Sequence, residues 1–457
     1  MSGTIDFTIQ NLGPATIPSP VKLSTRGDDY IANYVTDSQH IVYDLAAQPD
    51  RDYRFSRGDL LELAGPREKL YFSPAKTHAA IVTCGGLCPG LNDVIRSIVM
   101  CLWYQYGVRS IAGIRYGYRG LLPEYNLEEM RLEPSVVENI HTMGGTVLGS
   151  SRGGGQRTAE MVDTLERMNI RVLFVIGGDG SQKGALAISE EAARRNLKIA
   201  VVGVPKTIDN DLSFIERSFG FETAVSIARQ SVDAAHVEAR GAFNGIGIVK
   251  VMGRESGFIA AHTTLATNDV NFLLIPELPF DLDGTNGLLA HLTRRLERRH
   301  HAVILVAEGA GQHLFPESDM TDASGNRKLG DIGPLLCRRI TDHCTSTGVE
   351  TSIKYIDPSY IIRSTPANPN DSIYCARLGT NATHAVMAGK TGVLIGLVNG
   401  QFVHIPMKTA VSRRNYVDPE SPLWRDVLES TGQPALMVNR GQKGNTKFFP
   451  VQAAPTT

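Results

Sequence analysis

Short apolar runs alternate with longer amphipathic stretches along the chain from His78 onward. Apolar runs of roughly 4–8 residues are typical of buried strands, and amphipathic stretches longer than about ten residues are typical of helices. Strands that alternate with helices indicate βα repeats around a parallel sheet. The pattern therefore predicts an α/β protein.

The same pattern gives the bounds of individual elements. The predicted strands are 79–83, 110–114, 172–176, 199–204, 245–251, 271–275 and 302–306. The predicted helices are 91–106, 221–239, 256–267 and 285–300.

The two ends of the chain lack this periodicity. Residues 1–75 are rich in turn formers such as Gly13-Pro14 and Gly65-Pro66. They predict an N-terminal extension that either wraps a core or reaches a partner subunit. After Pro406 the periodicity fades, so residues 413–457 are predicted to be a C-terminal tail.

The composition limits the possible partners. Hydrophobic residues make up 42% of the 457 residues and charged residues 20%, which is typical of a globular protein with more than one core. Lys plus Arg total 46 and Asp plus Glu total 47, so no net field favours nucleic acid or an anionic membrane. An anionic substrate would have to be held by a local basic cluster.

Neither a membrane span nor a disulfide framework is expected. No apolar stretch approaches the length of about 18 residues that spans a bilayer. The N-terminus also lacks the basic and apolar regions of a signal peptide. The six cysteines form no CxxC pair and stand near no zinc-like histidine spacing. We therefore expect reduced thiols in a cytoplasmic protein.

Glycines and carboxylates collect where the predicted strands end. They stand at 85–86, 177–180, 206–211 and 308–309. Ligands of open parallel sheets bind beyond the carboxyl ends of the strands. The sequence therefore predicts one composite site built from several loops.

The segment Gly-Gly-Leu-Cys-Pro-Gly-Leu-Asn at 85–92 joins a strand to a helix. Glycines let backbone N–H groups approach a phosphate, and the helix N-terminus adds positive potential. A tight βα turn without a ligand has the same sequence features. From this segment alone, both interpretations stay open.

The segment Gly-Gly-Asp-Gly-Ser at 177–181 gives a sharper signal. Two glycines and a carboxylate at a strand end suit a Mg²⁺–phosphate complex, because Mg²⁺ prefers oxygen ligands. The alternative is a turn in which Asp179 is the N-cap of the next helix. Lipid kinases and NAD kinases also carry Gly-Gly-Asp-Gly, so the segment indicates phosphoryl transfer rather than a particular substrate.

Two carboxylates, Asp209 and Asp211, follow an apolar strand in the segment 207–211. In an extended segment they would point the same way. Their repulsion would then raise the pKa of one of them, which suits a base that takes a hydroxyl proton. A solvated acidic turn is the alternative, and the position after an apolar strand argues against it.

Basic residues further along the chain would suit a phosphorylated sugar. Arg254, in Met-Gly-Arg at 252–254, offers a planar donor fork for a transferring phosphoryl group. Lys354, Tyr360 and Arg363 stand in one short segment that would suit a sugar phosphate. Surface salt bridges and an ordinary exposed strand are the alternatives for these residues.

Together these segments resemble the phosphofructokinase family over about residues 76–412. The matching motifs are Gly-Gly-x-x-Pro-Gly-Leu-Asn at 85–92, Gly-Tyr-Arg-Gly-Leu at 117–121, Gly-Gly-Asp-Gly-Ser at 177–181, Pro-Lys-Thr-Ile-Asp-Asn-Asp at 205–211, Met-Gly-Arg at 252–254, Glu308, and Tyr360 to Arg363. Their order and spacing argue against coincidence. The long N-terminal extension is similar to that of the subgroup close to the pyrophosphate-dependent enzymes.

The resemblance implies a fold, a reaction and an assembly. It implies two Rossmann-like, doubly wound domains with mostly parallel sheets, flanked by the two extensions. A nucleotide-binding domain would cover 76–220 and 362–412, and a sugar-phosphate-binding domain would cover 221–361. The implied reaction moves the γ-phosphoryl group of Mg-ATP to the 1-hydroxyl of fructose 6-phosphate. The implied assembly is a homodimer or homotetramer.

The resemblance also implies a nucleotide site. Its residues are Gly86, Arg152, Asp179, Gly180, Ser181 and Gly184. Gly86 and Arg152 would contact phosphates, and Asp179 would organise Mg²⁺. The other three residues would line the site.

The implied sugar and transfer site draws on later motifs. Its residues are Lys206, Thr207, Asp209, Asp211, Met252, Gly253, Arg254, Glu308, Lys354, Tyr360 and Arg363. Asp209 resembles the general base, and Arg254 resembles the residue that steadies the transferring phosphoryl group. Thr207 and Asp211 would hold the sugar and the metal, and Tyr360 and Arg363 would hold the 6-phosphate.

Four positions depart from the simple bacterial members of the family. Tyr360 stands where they have histidine, Lys354 where they have arginine, and Lys206 where they have glycine. Gly245 stands where they have an arginine that crosses the subunit interface, and no residue is assigned to replace it. Family members are often allosteric, and no residue here identifies the effector.

The phosphoryl donor depends on position 180. Pyrophosphate-using relatives resemble Gly-Gly-Asp-Asp with Pro-Lys-Thr, whereas this chain has Gly-Gly-Asp-Gly with Pro-Lys-Thr. A second aspartate would put negative charge where the α-phosphate of ATP should lie. Two like charges about 4 Å apart cost about 4 kcal/mol at an effective dielectric of about 20. Gly180 therefore favours ATP, with pyrophosphate as the alternative.

Two further functions stay open at this point. A lipid or NAD kinase would share only Gly-Gly-Asp-Gly, and the acidic pair and Met-Gly-Arg argue against it. A regulatory subunit that binds sugar phosphate without catalysis is the other alternative. The presence of Asp179, Asp209 and Arg254 argues against that function.

Overall fold

The computed structural model describes residues 5–46, 54–316, 320–321 and 328–439. The chain divides into two compact units. Unit 1 comprises Met1–Thr207, Leu212–Gly220 and Arg363–Arg414, and unit 2 comprises Ile208–Asp211, Phe221–Ile362 and Asn415–Thr457. The acidic pair at 209 and 211 therefore belongs to unit 2, whereas the strand that precedes it belongs to unit 1.

Strands and helices alternate through most of the described chain, which confirms the α/β prediction. The strands are β1 (Gln10–Asn11), β2 (Ile17–Pro18), β3 (His40–Val42), β4 (Leu60–Glu62), β5 (Lys69–Leu70), β6 (His78–Thr83), β7 (Ser110–Ile114), β8 (Met130–Arg131), β9 (Val172–Gly177), β10 (Ala200–Pro205), β11 (Gly245–Val251), β12 (Phe272–Leu274), β13 (His301–Ala307), β14 (Ser352–Ile356), β15 (Lys390–Thr391), β16 (Val393–Val398) and β17 (Gln401–Pro406). The helices are α1 (Leu91–Met100), α2 (Pro134–Val137), α3 (Thr158–Arg167), α4 (Asp179–Arg194), α5 (Phe221–Gly241), α6 (Phe258–Thr267), α7 (Leu288–Arg299), α8 (Ile332–Thr347), α9 (Ile361–Ser364), α10 (Pro369–Met387), α11 (Met407–Ala410) and α12 (Pro422–Thr431).

Two predicted helices begin later than the pattern indicated. The predictions 256–267 and 285–300 correspond to α6 and α7, whose N-caps are Gly257 and Gly287. The predicted helix 91–106 is α-helical to Met100 and continues as a π-helical segment over Cys101–Tyr106. These differences lie at element ends, where hydrophobic spacing carries the least information.

Unit 1 is built on a seven-stranded sheet with the order β17-β16-β10-β9-β6-β7-β8. The five inner strands are parallel, and β17 and β8 run antiparallel at the two edges. Strands β9, β10 and β16 are buried along their whole length. Helices on both faces of a parallel sheet produce such continuous apolar strands.

One face of this sheet packs against α3 and α4. Val82 and Val175 of the strands meet Leu165 of α3 and Ile188 of α4 in a continuous apolar core. Alternate strand residues point to opposite faces, so the other half of each strand is left for α10, which contacts β10 and β16. This packing fixes the strand ends that carry the glycine motifs.

The described part of the N-terminal extension belongs to unit 1 and packs against its other strands. Strand β1 pairs with β15, and the N–H of Ala64 donates to the carbonyl oxygen of Phe402 at 2.8 Å. Phe7 and Leu61 are buried in an apolar cluster that also contains Phe214. These contacts are those of a segment that wraps a core; a contact with a partner subunit stays a prediction.

A buried ionic group joins this extension to the sheet, and we call it the Lys390 cluster: Asp37, Glu62, Arg67, Lys390 and His404. Nζ of Lys390 lies 2.8 Å from Oε1 of Glu62 and 3.0 Å from Oδ1 of Asp37. Nη2 of Arg67 donates to the same Glu62 oxygen at 2.7 Å. Burial raises the pKa of the Glu62 carboxyl, but hydrogen bonds from His404 and Lys390 lower this pKa by more. Glu62 is therefore ionised.

Unit 2 is built on a four-stranded parallel sheet with the order β12-β13-β11-β14. Its core includes Ile248 and Ile304 of the strands, Leu292 of α7 and Leu336 of α8. Met252 follows the carboxyl end of β11, and Glu308 follows the carboxyl end of β13.

The C-terminal tail prediction is wrong for the residues that the structure describes there. Helix α12 begins at the N-cap Ser421, whose side chain accepts a hydrogen bond from the N–H of Trp424. Trp424 and Val427 are buried, and Met437 belongs to the core of unit 2. These apolar residues are too widely spaced to give a visible periodicity. Residues 440–457 of the predicted tail lie outside the described residues.

Helices that could cross a bilayer were also sought. Within the described ranges, none of the helices combines the necessary length with the necessary apolar character.

Candidate functional site

Three parallel strands of unit 1 end side by side and bring the glycine motifs together. Thr83 of β6 pairs with Ile176 of β9, and Gly177 of β9 pairs with Pro205 of β10. The N–H of Lys206 then donates to the carbonyl oxygen of Gly177 at 3.1 Å. The segments 85–92, 177–181 and 205–207 are therefore neighbours, as the strand-end pattern predicted.

Cations surround the first of these turns, and we call this group the Gly86 cluster: Gly85, Gly86, Arg152, Lys206 and Arg363. A Cβ atom added to Gly86 would lie 3.3 Å from Nη1 of Arg363 and 3.6 Å from Nη2 of Arg152. Nζ of Lys206 donates to the carbonyl oxygen of Gly86 at 2.8 Å. Three permanent or near-permanent positive charges beside a glycine turn are the features of an anion site.

The loop at 150–152 holds this turn from the other side. The N–H of Gly85 donates to the carbonyl oxygen of Ser151 at 2.9 Å, and Oγ of Ser150 donates to the carbonyl oxygen of Gly85 at 2.6 Å. The N–H and the carbonyl oxygen of Gly85 are therefore both hydrogen-bonded within unit 1. These hydrogen bonds fix the backbone of the turn. Arg152 is the next residue of the loop that makes them, so its side chain is held near the turn.

Asp179 is the first residue of α4, and the N-cap is Gly178. The alternative in which Asp179 is itself the N-cap is therefore wrong. Its buried carboxylate accepts hydrogen bonds at Oδ2 from Nζ of Lys183 at 2.9 Å and from Nη2 of Arg414 at 3.5 Å. A carboxylate at this position interacts favourably with the positive end of the helix dipole.

The donor atoms at Asp179 fit Mg²⁺. A single carboxylate, combined with phosphate oxygens and water, is the usual way in which Mg²⁺ is bound in nucleotide sites. The Lys183 side chain is about half exposed, so it can move away from Oδ2 without breaking a buried contact. The role of Asp179 toward Mg²⁺ stays a prediction.

The two glycines of α4 differ in their surroundings. Among the residues that the structure describes, no heavy atom outside the helix backbone and the adjoining residues lies within 4 Å of a Cβ atom added to Gly180, so that side of the helix is open. A Cβ atom added to Gly184 would lie 2.8 Å from the Tyr118 ring. The Tyr118 hydroxyl donates to the carbonyl oxygen of Ser181 at 2.6 Å. Gly184 therefore makes room for Tyr118, and its predicted part in lining the nucleotide site stays untested.

The acidic pair lies in a turn, and the prediction of an extended segment is wrong. Asn210 adopts φ of 52°, the left-handed conformation that Asn tolerates better than most residues. In unit 2, Oγ of Ser256 donates to the carbonyl oxygen of Asp209 at 2.8 Å. The N–H of Asn415 donates to the carbonyl oxygen of Asp211 at 2.9 Å. The backbone of the turn is thus held at both aspartates.

Two strand-end loops of unit 2 touch each other. The N–H of Gly309 donates to the carbonyl oxygen of Gly253 at 3.1 Å, and a Cβ atom added to Gly309 would lie 1.8 Å from the carbonyl oxygen of Arg254. Gly253 itself has φ of 132°, a conformation that favours glycine. Arg254 and Glu308 are therefore carried by loops in direct contact.

The basic segment near residue 360 is divided in this structure. Lys354 is exposed within β14, opposite Gly247 of β11, and Tyr360 is 66% exposed. Arg363 belongs to unit 1, where its guanidinium lies beside Gly86 among the predicted nucleotide residues. The predicted roles of these three residues toward the sugar phosphate stay predictions.

Position 245 has no room for a side chain. Gly245 begins β11, and a Cβ atom added there would lie 2.1 Å from the carbonyl oxygen of Ala239. The backbone of this chain therefore excludes an arginine at that position without rearrangement of the end of α5.

Sequence reasoning missed several residues that support the site. Lys183 stands four residues after Asp179, and this helical spacing would have revealed it. Ser256, Arg414 and Asn415 were missed because each acts through a contact far along the chain. Burial raises the pKa of the Cys84 thiol to about 12, so this thiol is unreactive.

The fold and the strand-end residues together define an α/β phosphate-binding protein with glycine turns, a carboxylate at a helix N-terminus and clustered cations. The Phosphofructokinase family model matches residues 78–386. The chain belongs to the phosphofructokinase family, as the motif resemblance predicted.

Curated relatives match over nearly the whole chain. The ATP-dependent 6-phosphofructokinase of Borreliella burgdorferi is 56% identical over 442 residues, which is 95% of this chain and 98% of the relative. The protein of the same name from Amycolatopsis methanolica is 48% identical over 94% of this chain and 95% of its own length. A match over 95% of this chain reaches into both predicted extensions.

Solved structures share the fold at lower identity. The pyrophosphate-dependent phosphofructokinase of Marinobacter aquaeolei has a TM-score of 0.64 at 20% identity, over 80% of this chain and 97% of that one. The corresponding enzyme of Nitrosospira multiformis has a TM-score of 0.65 at 20% identity, over 79% of this chain and 93% of that one. These likenesses confirm the predicted α/β architecture with mostly parallel sheets.

Proposed function

We propose that the chain is an ATP-dependent 6-phosphofructokinase, which phosphorylates the 1-hydroxyl of fructose 6-phosphate. Relatives that carry this activity in their names match 94–95% of the chain at 48–56% identity. The Gly86 cluster supports the proposal because a polyphosphate needs several fixed positive charges around a glycine turn. The product is fructose 1,6-bisphosphate.

Nucleotide phosphates are proposed to bind residues of unit 1. Gly86 lets the backbone approach a phosphate oxygen, and Arg152 and Lys206 neutralise its charge. Gly180 and Ser181 line the path of the nucleotide at the start of α4. Bound Mg²⁺, held by Asp179, would neutralise charge on the phosphate oxygens of the donor.

Most of the residues that are proposed to bind the sugar and to handle its proton belong to unit 2, and Thr207 and Arg363 belong to unit 1. Asp209 accepts the proton of the 1-hydroxyl as that oxygen attacks the γ-phosphorus, and the bond to the β-phosphate oxygen breaks. Arg254 stabilises the negative charge on the transferring phosphoryl oxygens. Asp211, Met252, Gly253 and Glu308 hold the sugar, with Thr207 at the end of the preceding strand. Lys354, Tyr360 and Arg363 are proposed to hold the 6-phosphate.

The open space at Gly180 carries the choice of ATP over pyrophosphate. Apart from the helix backbone and the adjoining residues, no heavy atom of the described residues lies within 4 Å of the Cβ position there, so a longer donor with an α-phosphate has room. We also propose that the chain assembles as a homodimer or homotetramer. Its proposed location is the cytoplasm.

The deciding experiment offers both donors to the purified full chain with fructose 6-phosphate as acceptor. We expect turnover with Mg-ATP and none above background with pyrophosphate. Turnover with pyrophosphate alone would reverse the assignment of the donor. Sugar-phosphate binding without turnover would identify a regulatory subunit, and phosphorylation of NAD or diacylglycerol would identify another kinase class.

A further inference from the structure

A buried carboxylate outside the predicted site connects two segments of unit 2. Glu277 follows β12, and its Oε1 accepts hydrogen bonds from the N–H of Gly257 at 2.8 Å and from the N–H of Val417 at 2.9 Å. Its Oε2 is buried and has no hydrogen-bond partner among the described residues. A carboxylate costs more to bury than an apolar side chain, so packing alone does not account for this residue.

Each segment that Glu277 holds also holds the acidic turn. Gly257 follows Ser256, whose Oγ donates to the carbonyl oxygen of Asp209 at 2.8 Å. Val417 follows Asn415 by two residues, and the N–H of Asn415 donates to the carbonyl oxygen of Asp211 at 2.9 Å.

These bonds close a ring, which we call the Glu277 ring. Its members, in order around the ring, are Asp209, Ser256, Gly257, Glu277, Val417, Asn415 and Asp211. Short stretches of backbone complete it between neighbouring residues. Glu277 is the member whose side chain joins the loop after Arg254 to the C-terminal segment.

The packing around Gly257 leaves little freedom for this contact. A Cβ atom added to Gly257 would lie 2.5 Å from Cγ2 of Ile275 and 3.0 Å from Oε2 of Glu277. The Glu277 carboxylate therefore rests against the peptide that follows Ser256. A shift of this carboxylate moves the peptide, and with it the hydroxyl that holds Asp209.

We propose that Glu277 is a positioning residue for phosphoryl transfer, which fixes the backbone of Asp209 through Ser256 on one side and Asn415 on the other. The inference rests on the proposed function of Asp209 as the base. It also gives the C-terminal segment a part in catalysis. Misplacement of a reacting group by about 1 Å costs about 10²-fold in rate, so the ring has a measurable effect on kcat.

Two substitutions at 277 separate geometry from charge. Glu277→Gln keeps an oxygen that accepts both N–H groups, and Glu277→Leu keeps the volume but leaves both groups without an acceptor. We expect Glu277→Gln to retain kcat within about threefold and Glu277→Leu to lose at least about 10-fold. The KM for ATP should change less than about twofold, because the nucleotide residues are proposed to lie in unit 1.

A matched control separates positioning from loss of stability. Leu292→Ala makes a cavity in the core of the same unit and removes none of the hydrogen bonds of the ring. Compared at equal folded fraction, this variant should keep the wild-type kcat. Wild-type kcat in a folded Glu277→Leu variant overturns the proposal, and so does an equal loss in the Leu292→Ala control. If Glu277→Leu does not fold, Glu277→Asp, which withdraws the carboxylate by one methylene, makes the same comparison.

A double-mutant cycle tests the connection to Asp209. Ser256→Ala removes one bond of the Glu277 ring, and we expect it to lower kcat severalfold. Once one bond is lost the ring is open, so Glu277→Leu should cost less in the Ser256→Ala background than in the wild type. Strictly additive effects on ln kcat overturn the proposal. The proposed function fails separately, if the wild-type chain shows no turnover at all.

Discussion

The side-chain ammonium of Lys206 lies 2.8 Å from the carbonyl oxygen of Gly86 and is almost completely buried. A buried ammonium needs acceptors around it, and the carbonyl oxygen of Gly86 is one of them. This relationship places a positive charge at the glycine turn of the Gly86 cluster. It is the basis of the first prediction.

Replacing Lys206 by methionine keeps the length of the side chain and removes its charge. Since charge-assisted hydrogen bonds contribute about 1.5–3 kcal/mol, we expect Lys206→Met to raise the KM for ATP by about 10-fold to 100-fold. Steady-state kinetics with varied ATP measure the effect. The exposed Lys198→Met is the control and should leave the KM unchanged. An unaltered KM for ATP in Lys206→Met would show that the ammonium serves only the turn.

Position 180 tests the choice of donor. Gly180→Asp adds volume and negative charge at the open side of α4, so we expect it to raise the KM for ATP much more than the KM for fructose 6-phosphate. The neutral Gly180→Asn adds nearly the same volume and separates the two effects. Equal damage to both Michaelis constants would contradict the assignment of this position to the nucleotide.

The general base is tested at Asp209. A positioned base contributes about 10²–10⁴ in rate, so Asp209→Ser should lower kcat by that range while the KM for fructose 6-phosphate changes little. Rapid coupled assays at saturating ATP give both constants. Asp342→Ser, on the exposed side of α8, is the control. A near-normal kcat in Asp209→Ser would remove this residue from the role of base.

The pH dependence of stability is tested at Glu277. Burial raises the pKa of its carboxyl from 4.5 to about 7, and the N–H groups of Val417 and Gly257 oppose this less strongly. Between these two values the folded state binds more protons than the unfolded state, so stability falls as pH rises through that window. Above pH 7 the ionised group costs about 3 kcal/mol.

Glu277→Gln removes this cost because the amide does not titrate. The thermal unfolding midpoint of the variant minus that of the wild type should therefore be larger at pH 8 than at pH 5. The exposed Glu420→Gln is the control and should show the same difference at both values. If the difference in unfolding midpoint between Glu277→Gln and the wild type does not change with pH, the pKa of the Glu277 carboxyl is not raised by folding.

The sequence predicted the parts of the site that are coded locally. An apolar run that ends in glycine marks a strand end, and parallel strands place their ends at one edge. That argument was enough to bring Gly86, Asp179 and Lys206 together. The bounds of β11, 245–251, also match the prediction, because an apolar run between a helix and a loop leaves little choice.

The rest depends on contacts between distant positions. Arg414 contacts Asp179, which stands 235 positions earlier in the sequence. Asn415 contacts Asp211, which also stands far from it in the sequence. A turn conformation at Asn210 is set by these contacts and is not visible in the spacing of two aspartates. Trp424 and Met437 are isolated apolar residues whose burial follows from the surface they cover.

The Lys390 cluster has a consequence for how the gene is trimmed for expression. The family model ends at residue 386, before Lys390 and before the strands β16 and β17. A clone cut to 78–386 would remove β16 and β17 from the sheet of unit 1 and expose the edge of β10, and an exposed sheet edge favours aggregation. A clone that begins at 78 would lack Glu62 and Asp37, which pair with Lys390. The Lys390 side chain is 1% exposed, so its charge would be buried without these two carboxylates.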